Sequence, residues 1–177
     1  MWYRMAKEND WRVKWLRRIR GPLSGLAAIA RQCSSFEEFK HDFLIQIKHG
    51  MFWHVTENEN FEIDPQKGPR DMSSLAGGEI DPGKLMITTD LPYWASNYKD
   101  EGRGYAAEID MSDVPRDQYQ QVNRGFGNEF WVNDPSQARV RRTLPLDKAL
   151  RAHSSNNKLL PQSEAELRQF YEVAKSL

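Results

Sequence analysis

Three short stretches of this sequence carry side chains whose types and spacing suit chemistry. The first is Trp53-His54-Val55-Thr56. Residues two apart on a strand project to one side, so His54 and Thr56 share a face while Trp53 and Val55 take the other. An imidazole beside a hydroxyl can hydrogen-bond the ribose hydroxyls and carboxamide of a nucleotide; a strand-edge histidine bonded to backbone is the plainer reading. The second is Gly127-Asn128-Glu129-Phe130-Trp131-Val132. Glu129 opens an apolar run, and a carboxylate entering a hydrophobic strand loses hydration at a cost unless it is paired or has a task. Gly125 and Gly127 before it permit unusual backbone angles. A glutamate that caps the strand and faces water is the alternative. The third runs from Met86-Ile87-Thr88-Thr89-Asp90 to Tyr93, Trp94 and Tyr98. Trp94 and Tyr98 lie four apart, hence on one helix face, either as core or as a flank for a flat ring.

These stretches need elements to position them. Residues 1–32 read as one or two helices broken near Gly21-Pro22, with Trp2, Met5, Trp11, Trp15, Leu16 and Ile19 loosely on one face. Eight Lys and Arg side chains surround that face against Glu8 and Asp10 alone. A helix docked on the domain and a contact surface for nucleic acid or an anionic surface are both consistent with it. Residues 35–50 form a marked helix. Ser35 with Glu38 makes a capping box, Phe36, Phe39, Phe43, Leu44 and Ile47 repeat at helical spacing, and Gly50 is the expected stop. Short strands are expected at 51–56, 85–89, 105–109, 129–132 and 139–144, with a polar loop over 57–82. A last helix over 163–175 has its own capping box, Ser163 with Glu166. Helices first, then short strands joined by long loops, then a closing helix argue for an α+β fold.

Composition narrows the function classes. The 177 residues include six Trp and eight Phe, while 25 basic and 25 acidic side chains cancel, so overall charge selects no partner. The single Cys33 excludes an internal disulfide framework and a cysteine zinc site. No apolar run approaches the roughly 20 residues of a membrane span. Residues 26–30 are too short and interrupted for a signal-peptide core, and a cytoplasmic protein is expected. Gly-rich phosphate loops, His-Glu-x-x-His and Gly-x-Ser-x-Gly are absent from the sequence.

In order and spacing, the three stretches resemble the ADP-ribosyltransferase superfamily, in the His…Tyr…Glu class shared by diphtheria toxin and the poly(ADP-ribose) polymerases. That family opens its core with a His-x-Thr or His-x-Ser strand, matched by His54-Val55-Thr56. A strand leading to a helix that ends in Ala-x-x-Tyr follows, matched by Met86 to Asp90 and Trp94-Ala-Ser-Asn-Tyr98. Tyr105-Ala-Ala-Glu-Ile-Asp110 matches the next strand, and Glu129-Phe-Trp-Val132 the late strand that begins with glutamate. The family's first tyrosine has no counterpart in residues 85–89, where Tyr93 or Trp94 stands nearest. The branch marked by Glu-x-Glu or Gln-x-Glu fits worse, because Gly127 stands two before Glu129.

The resemblance covers residues 51–145 and implies a split β-sandwich core. An N-terminal helical region over 1–50 would pack on a catalytic domain over 51–177. It further implies NAD as substrate, cleavage of the nicotinamide–ribose bond and transfer of ADP-ribose to a protein, a nucleic acid or water. Glu129 and His54 would be catalytic. His54, the backbone at Val55, Thr56, Thr88, Trp94 and Tyr98 would hold NAD without a metal, and the loops over 64–82 and 124–128 would choose the acceptor. An RNA 2′-phosphotransferase, an inactive nucleotide-binding module and a non-enzymatic interaction domain are the competing readings.

Overall fold

Trp11, Trp15 and Ile19 recur at every fourth residue of α1 (Trp2–Ile19), which stacks them on one helix face. That face turns inward, with Trp15 fully and Ile19 almost fully buried. The helix ends at Gly21-Pro22, where the Gly21 and Leu23 N–H groups both return to the Arg18 carbonyl. Helix α2 (Ser24–Gln32) buries every residue from 26 to 30, and α3 (Phe36–Ile45) follows. In the computed structural model the described residues are 2–45, 52–64, 84–123 and 129–177. The expected stop at Gly50 and the loop from 65 to 82 lie outside them, as does the segment 124–128. The remaining elements are β1 (Phe52–Thr56), β2 (Leu85–Thr88), α4 (Leu91–Tyr98), β3 (Tyr105–Asp110), β4 (Tyr119–Asn123), β5 (Glu129–Val132), β6 (Arg139–Pro145), α5 (Leu146–Asn157) and α6 (Glu164–Lys175).

The fold is α+β. Its six strands form one sheet in the order β4-β5-β2-β1-β3-β6, with every neighbouring pair antiparallel. Side-chain alternation gives each face its own core. Phe52, Ile87, Ala107 and Phe130 join the helical layer of α1, α2, α3 and α6. On the reverse face, Trp53, Val55, Met86 and Ala106 pack with Leu91, Trp94 and Tyr98 of α4 and Ala149 of α5. The N-terminal helices dock largely through the last helix. Phe170 of α6 is fully buried, meets Trp15 edge-on at 5.5 Å between ring centroids and stacks on Phe39 at 6.0 Å. Lys14 Nζ lies 2.7 Å from Glu166 Oε1. One continuous core therefore spans the residues before and after 50. Among the described residues, no helix is long and apolar enough to cross a membrane.

Both expected capping boxes form, displaced by one residue. Ser35 Oγ accepts the Glu38 N–H at 3.1 Å, but the Glu38 carboxylate reaches the Ser34 N–H at 2.7 Å. Ser163 Oγ accepts the Glu166 N–H at 3.2 Å, and Glu166 reaches the Gln162 N–H at 2.9 Å. Two elements escape the sequence pattern. Strand β4 is polar and lies at the sheet edge, where little apolar alternation is required. Helix α5 ends in Ser-Ser-Asn-Asn, weak helix formers, and is held by Ala149 and His153 buried beneath it.

Arg141 on β6 ties the other sheet edge to the helical layer. Its Nε and Nη2 donate to Asp110 Oδ2 at 3.2 and 3.1 Å, Nη1 donates to the Gly21 carbonyl at 3.3 Å, and Nη2 also meets the Ser24 hydroxyl. Burial pushes the Asp110 carboxyl up. The Ser112 hydroxyl and N–H, with Arg141, outweigh burial and hold it below the usual carboxylate range. A carboxyl depressed in the folded state stabilises above its unfolded value, about 3.9 for aspartate, and loses that contribution as pH falls through the folded value. Urea unfolding should therefore find Asp110→Asn less stable than wild type at pH 7, with the gap closing as pH drops below about 4. A gap independent of pH would show that charge is not its source. Truncation of the buried ring in Phe170→Ala should cost about 3–5 kcal/mol in the same measurement.

Candidate functional site

The strands β1 and β2 are joined at one register pair among the described residues, Trp53 opposite Thr88. On either side the pairing is fuller: β1 pairs with β3 from Phe52 to Thr56, and β2 with β5 over its whole length. Among the described residues the sheet is thus two three-stranded groups, β4-β5-β2 and β1-β3-β6, fastened at one rung. Continued antiparallel register would set Val55 opposite Met86. Instead the Met86 carbonyl meets the His54 ring, with Nδ1 at 2.8 Å. A carbonyl only accepts, so Nδ1 carries the proton.

Each sequence-predicted residue has a definite place. His54 is half-buried, and its ring stacks on Phe61 at 4.4 Å and 29°. Thr56 is buried and its hydroxyl accepts the Asn58 N–H at 3.2 Å, starting the turn that brings Phe61 over His54. Trp53 and Val55 lie buried on the opposite face, as the alternation predicts. Thr88 is buried next to Trp53, its hydroxyl accepting the Asp90 N–H at 2.9 Å. Asp90 in turn accepts the Tyr93 N–H at 3.3 Å and so starts α4.

Glu129 stands directly opposite Thr88 across β2 and β5. It is only 4% exposed, which overturns the water-facing cap as its role. Its Oε1 accepts the Trp131 indole N–H at 2.9 Å. Glu129, Thr88 and Trp53 therefore form one transverse row, two strands wide of β1. Alternation along the paired rungs sets His54 with Phe130 and Glu129 with Trp53. The imidazole and the carboxylate thus leave the sheet on opposite faces.

No family model, curated protein or solved structure matches this chain. What the site does rests on its own geometry.

Trp94 and Tyr98 take the core alternative. Both are buried, and their rings stack at 5.3 Å and 20°. The Arg103 guanidinium lies 4.1 Å from the Tyr98 centroid. Tyr98 is thus engaged by both Trp94 and Arg103. Tyr93, 36% exposed, meets Trp94 edge-on. A separate cleft of about 570 Å³ opens between the start of α4 and the end of α5, lined by Asp90, Pro92, Leu150, His153, Asn157 and Lys158 among others. Neither His54 nor Glu129 lines it. Its lining residue His153 meets Trp53 of β1 edge-on, 6.4 Å between ring centroids.

Two contributors are not assigned roles by the sequence reading. Trp131 was legible in principle, since it follows Glu129 by two on a strand and must share its face. Phe61 has no such signal, because it reaches His54 from an irregular segment. The Met86 contact yields a direct expectation. In neutral protein, ¹⁵N–¹H correlation spectra should show His54 as the Nδ1-protonated tautomer; the Nε2-protonated form would rule out the bond to Met86.

Proposed function

We propose that the chain is an NAD-dependent ADP-ribosyltransferase, breaking the nicotinamide–ribose bond and passing ADP-ribose to a macromolecular acceptor or to water. The observation that carries this reading is the pairing of a sheet fastened at one rung, with His54 in its mouth, and a buried carboxylate, Glu129, at the head of the strand beside it. A sheet in two halves is what the resemblance to the His…Tyr…Glu transferases implies, and the gap supports a split β-sandwich of that kind.

The chemistry fits these groups. When the bond from ribose C1′ to nicotinamide breaks, its electron pair leaves on neutral nicotinamide and the ribose ring becomes cationic, as in glycoside cleavage. An acceptor oxygen or nitrogen then bonds to C1′ and releases its proton to solvent. A fixed carboxylate bonded to the ribose 2′-hydroxyl stabilises the cationic state, and a preset charge in a water-poor site is worth far more than in bulk water. Glu129 supplies that charge. His54, with Nδ1–H committed to Met86, presents Nε2 as an acceptor when neutral, suited to a ribose hydroxyl. The main chain at Val55, where the ladder opens, is the proposed contact for the carboxamide, with Thr56 and Thr88 bounding the pocket.

Incubation with NAD labelled in nicotinamide tests the proposal. Wild type should release free nicotinamide. Glu129→Ala should lose about 10²–10³ in rate with NAD affinity nearly intact, because the carboxylate acts mainly in the transition state. His54→Ala should instead weaken NAD binding. Full activity in Glu129→Ala, or wild type that neither binds NAD nor releases nicotinamide, would overturn the assignment.

A further inference from the structure

We infer that Trp131 is a positioning residue for Glu129, its indole N–H setting the carboxylate orientation that the transferase reaction needs; the inference rests on the transferase reading above. The first support is geometric. Residues 129 and 131 share a face of β5, and the Trp131 Nε1–H donates to Glu129 Oε1 at 2.9 Å. A hydrogen bond to an ionised acceptor is roughly twice as strong as a neutral one, and at 4% exposure the carboxylate has little water to exchange it for.

The second support is that the donor is itself held. The Trp131 ring packs against the core of the reverse face, where Trp53, Val55 and Met86 lie, and its residue stands opposite Met86 in the β2–β5 ladder and Gln120 in β4. The Lys84 ammonium sits 5.6 Å from its ring centroid, in reach of a cation–π contact. A rigid ring on a strand paired on both sides keeps its N–H in one place.

The third support is chemical. Indole N–H donates and never accepts. It can fix one carboxylate oxygen without competing for the proton of a ribose hydroxyl. A serine, histidine or glutamine at the same place offers both roles and could capture that hydroxyl instead. Correct placement matters because a misplacement of about 1 Å can cost about 10²-fold in rate.

The test uses the full chain with two replacements at 131. One is Trp131→Phe. The other is the isosteric amino acid in which sulfur replaces the indole N–H, introduced by stop-codon suppression, which keeps ring and packing and removes only the donor. Both should lower kcat for nicotinamide release by about 10- to 100-fold while KM for NAD stays within about twofold. The sulfur analogue should melt close to wild type. Wild-type kcat in the sulfur analogue would overturn the inference, whereas absence of Glu129-dependent release in wild type would overturn the transferase reading itself. A readout independent of turnover separates the two. Glu129→Gln should move the Trp131 indole N–H proton resonance upfield, and an unmoved resonance would remove the contact on which the inference stands.

Discussion

The rung between Trp53 and Thr88 is the constraint on which the site depends. Buried backbone groups need partners, so two strands that part after one rung must satisfy their freed groups by other means. The Met86 carbonyl takes the His54 imidazole, and the Thr88 hydroxyl takes the Asp90 N–H as the chain turns into α4. The polar side chains that close these accounts are the ones the sequence marked as chemical. His54 therefore has a structural task of its own: through this bond it ties β1 to β2 beyond the rung.

Glu129 poses the complementary problem. A buried carboxylate is tolerated only when bonded, and on this face the surrounding side chains are mostly apolar and aromatic. The Trp131 N–H comes from the next position on the same face of the same strand, so the bond needs no long-range assembly. The low polarity that makes an unbonded carboxylate expensive also strengthens its influence on a charge developing nearby. Packing and electrostatics thus place the same demand on one strand.

The sequence disclosed elements whose signal is local. The amphipathic repeat of α1, the serines capping α3 and α6, the start of β5 at Glu129 and the alternation of His54 and Thr56 against Trp53 and Val55 all follow from spacing within a few residues. What escaped was decided by partners far along the chain. Strand β4 has polar residues because it pairs on one side only, and α5 is helical because the sheet covers Ala149 and His153. The separation of His54 from Glu129 onto opposite faces was equally hidden, since it depends on the register across three strands. Trp94 and Tyr98 show the limit of spacing most clearly. Four apart on a helix, they had to share a face, but only the packing of that face on Trp53, Val55 and Met86 decided that the pair is buried.

The docking of α6 on the N-terminal helices has a consequence for how the chain reaches its fold. The pairs Trp15 with Phe170 and Lys14 with Glu166 lie about 150 residues apart in sequence, and loop closure on that scale must precede any reward from the contacts. During synthesis the first three helices emerge long before their cover does. Their apolar faces, Trp15, Ile19, Phe36 and Phe39 among them, then lack the cover of Leu167 and Phe170 until α6 has been made. The two layers of this protein consequently differ in history. The reverse face of the sheet can be assembled from segments already made, while the helical layer still lacks α6 and exposes sticky surface on a nascent chain.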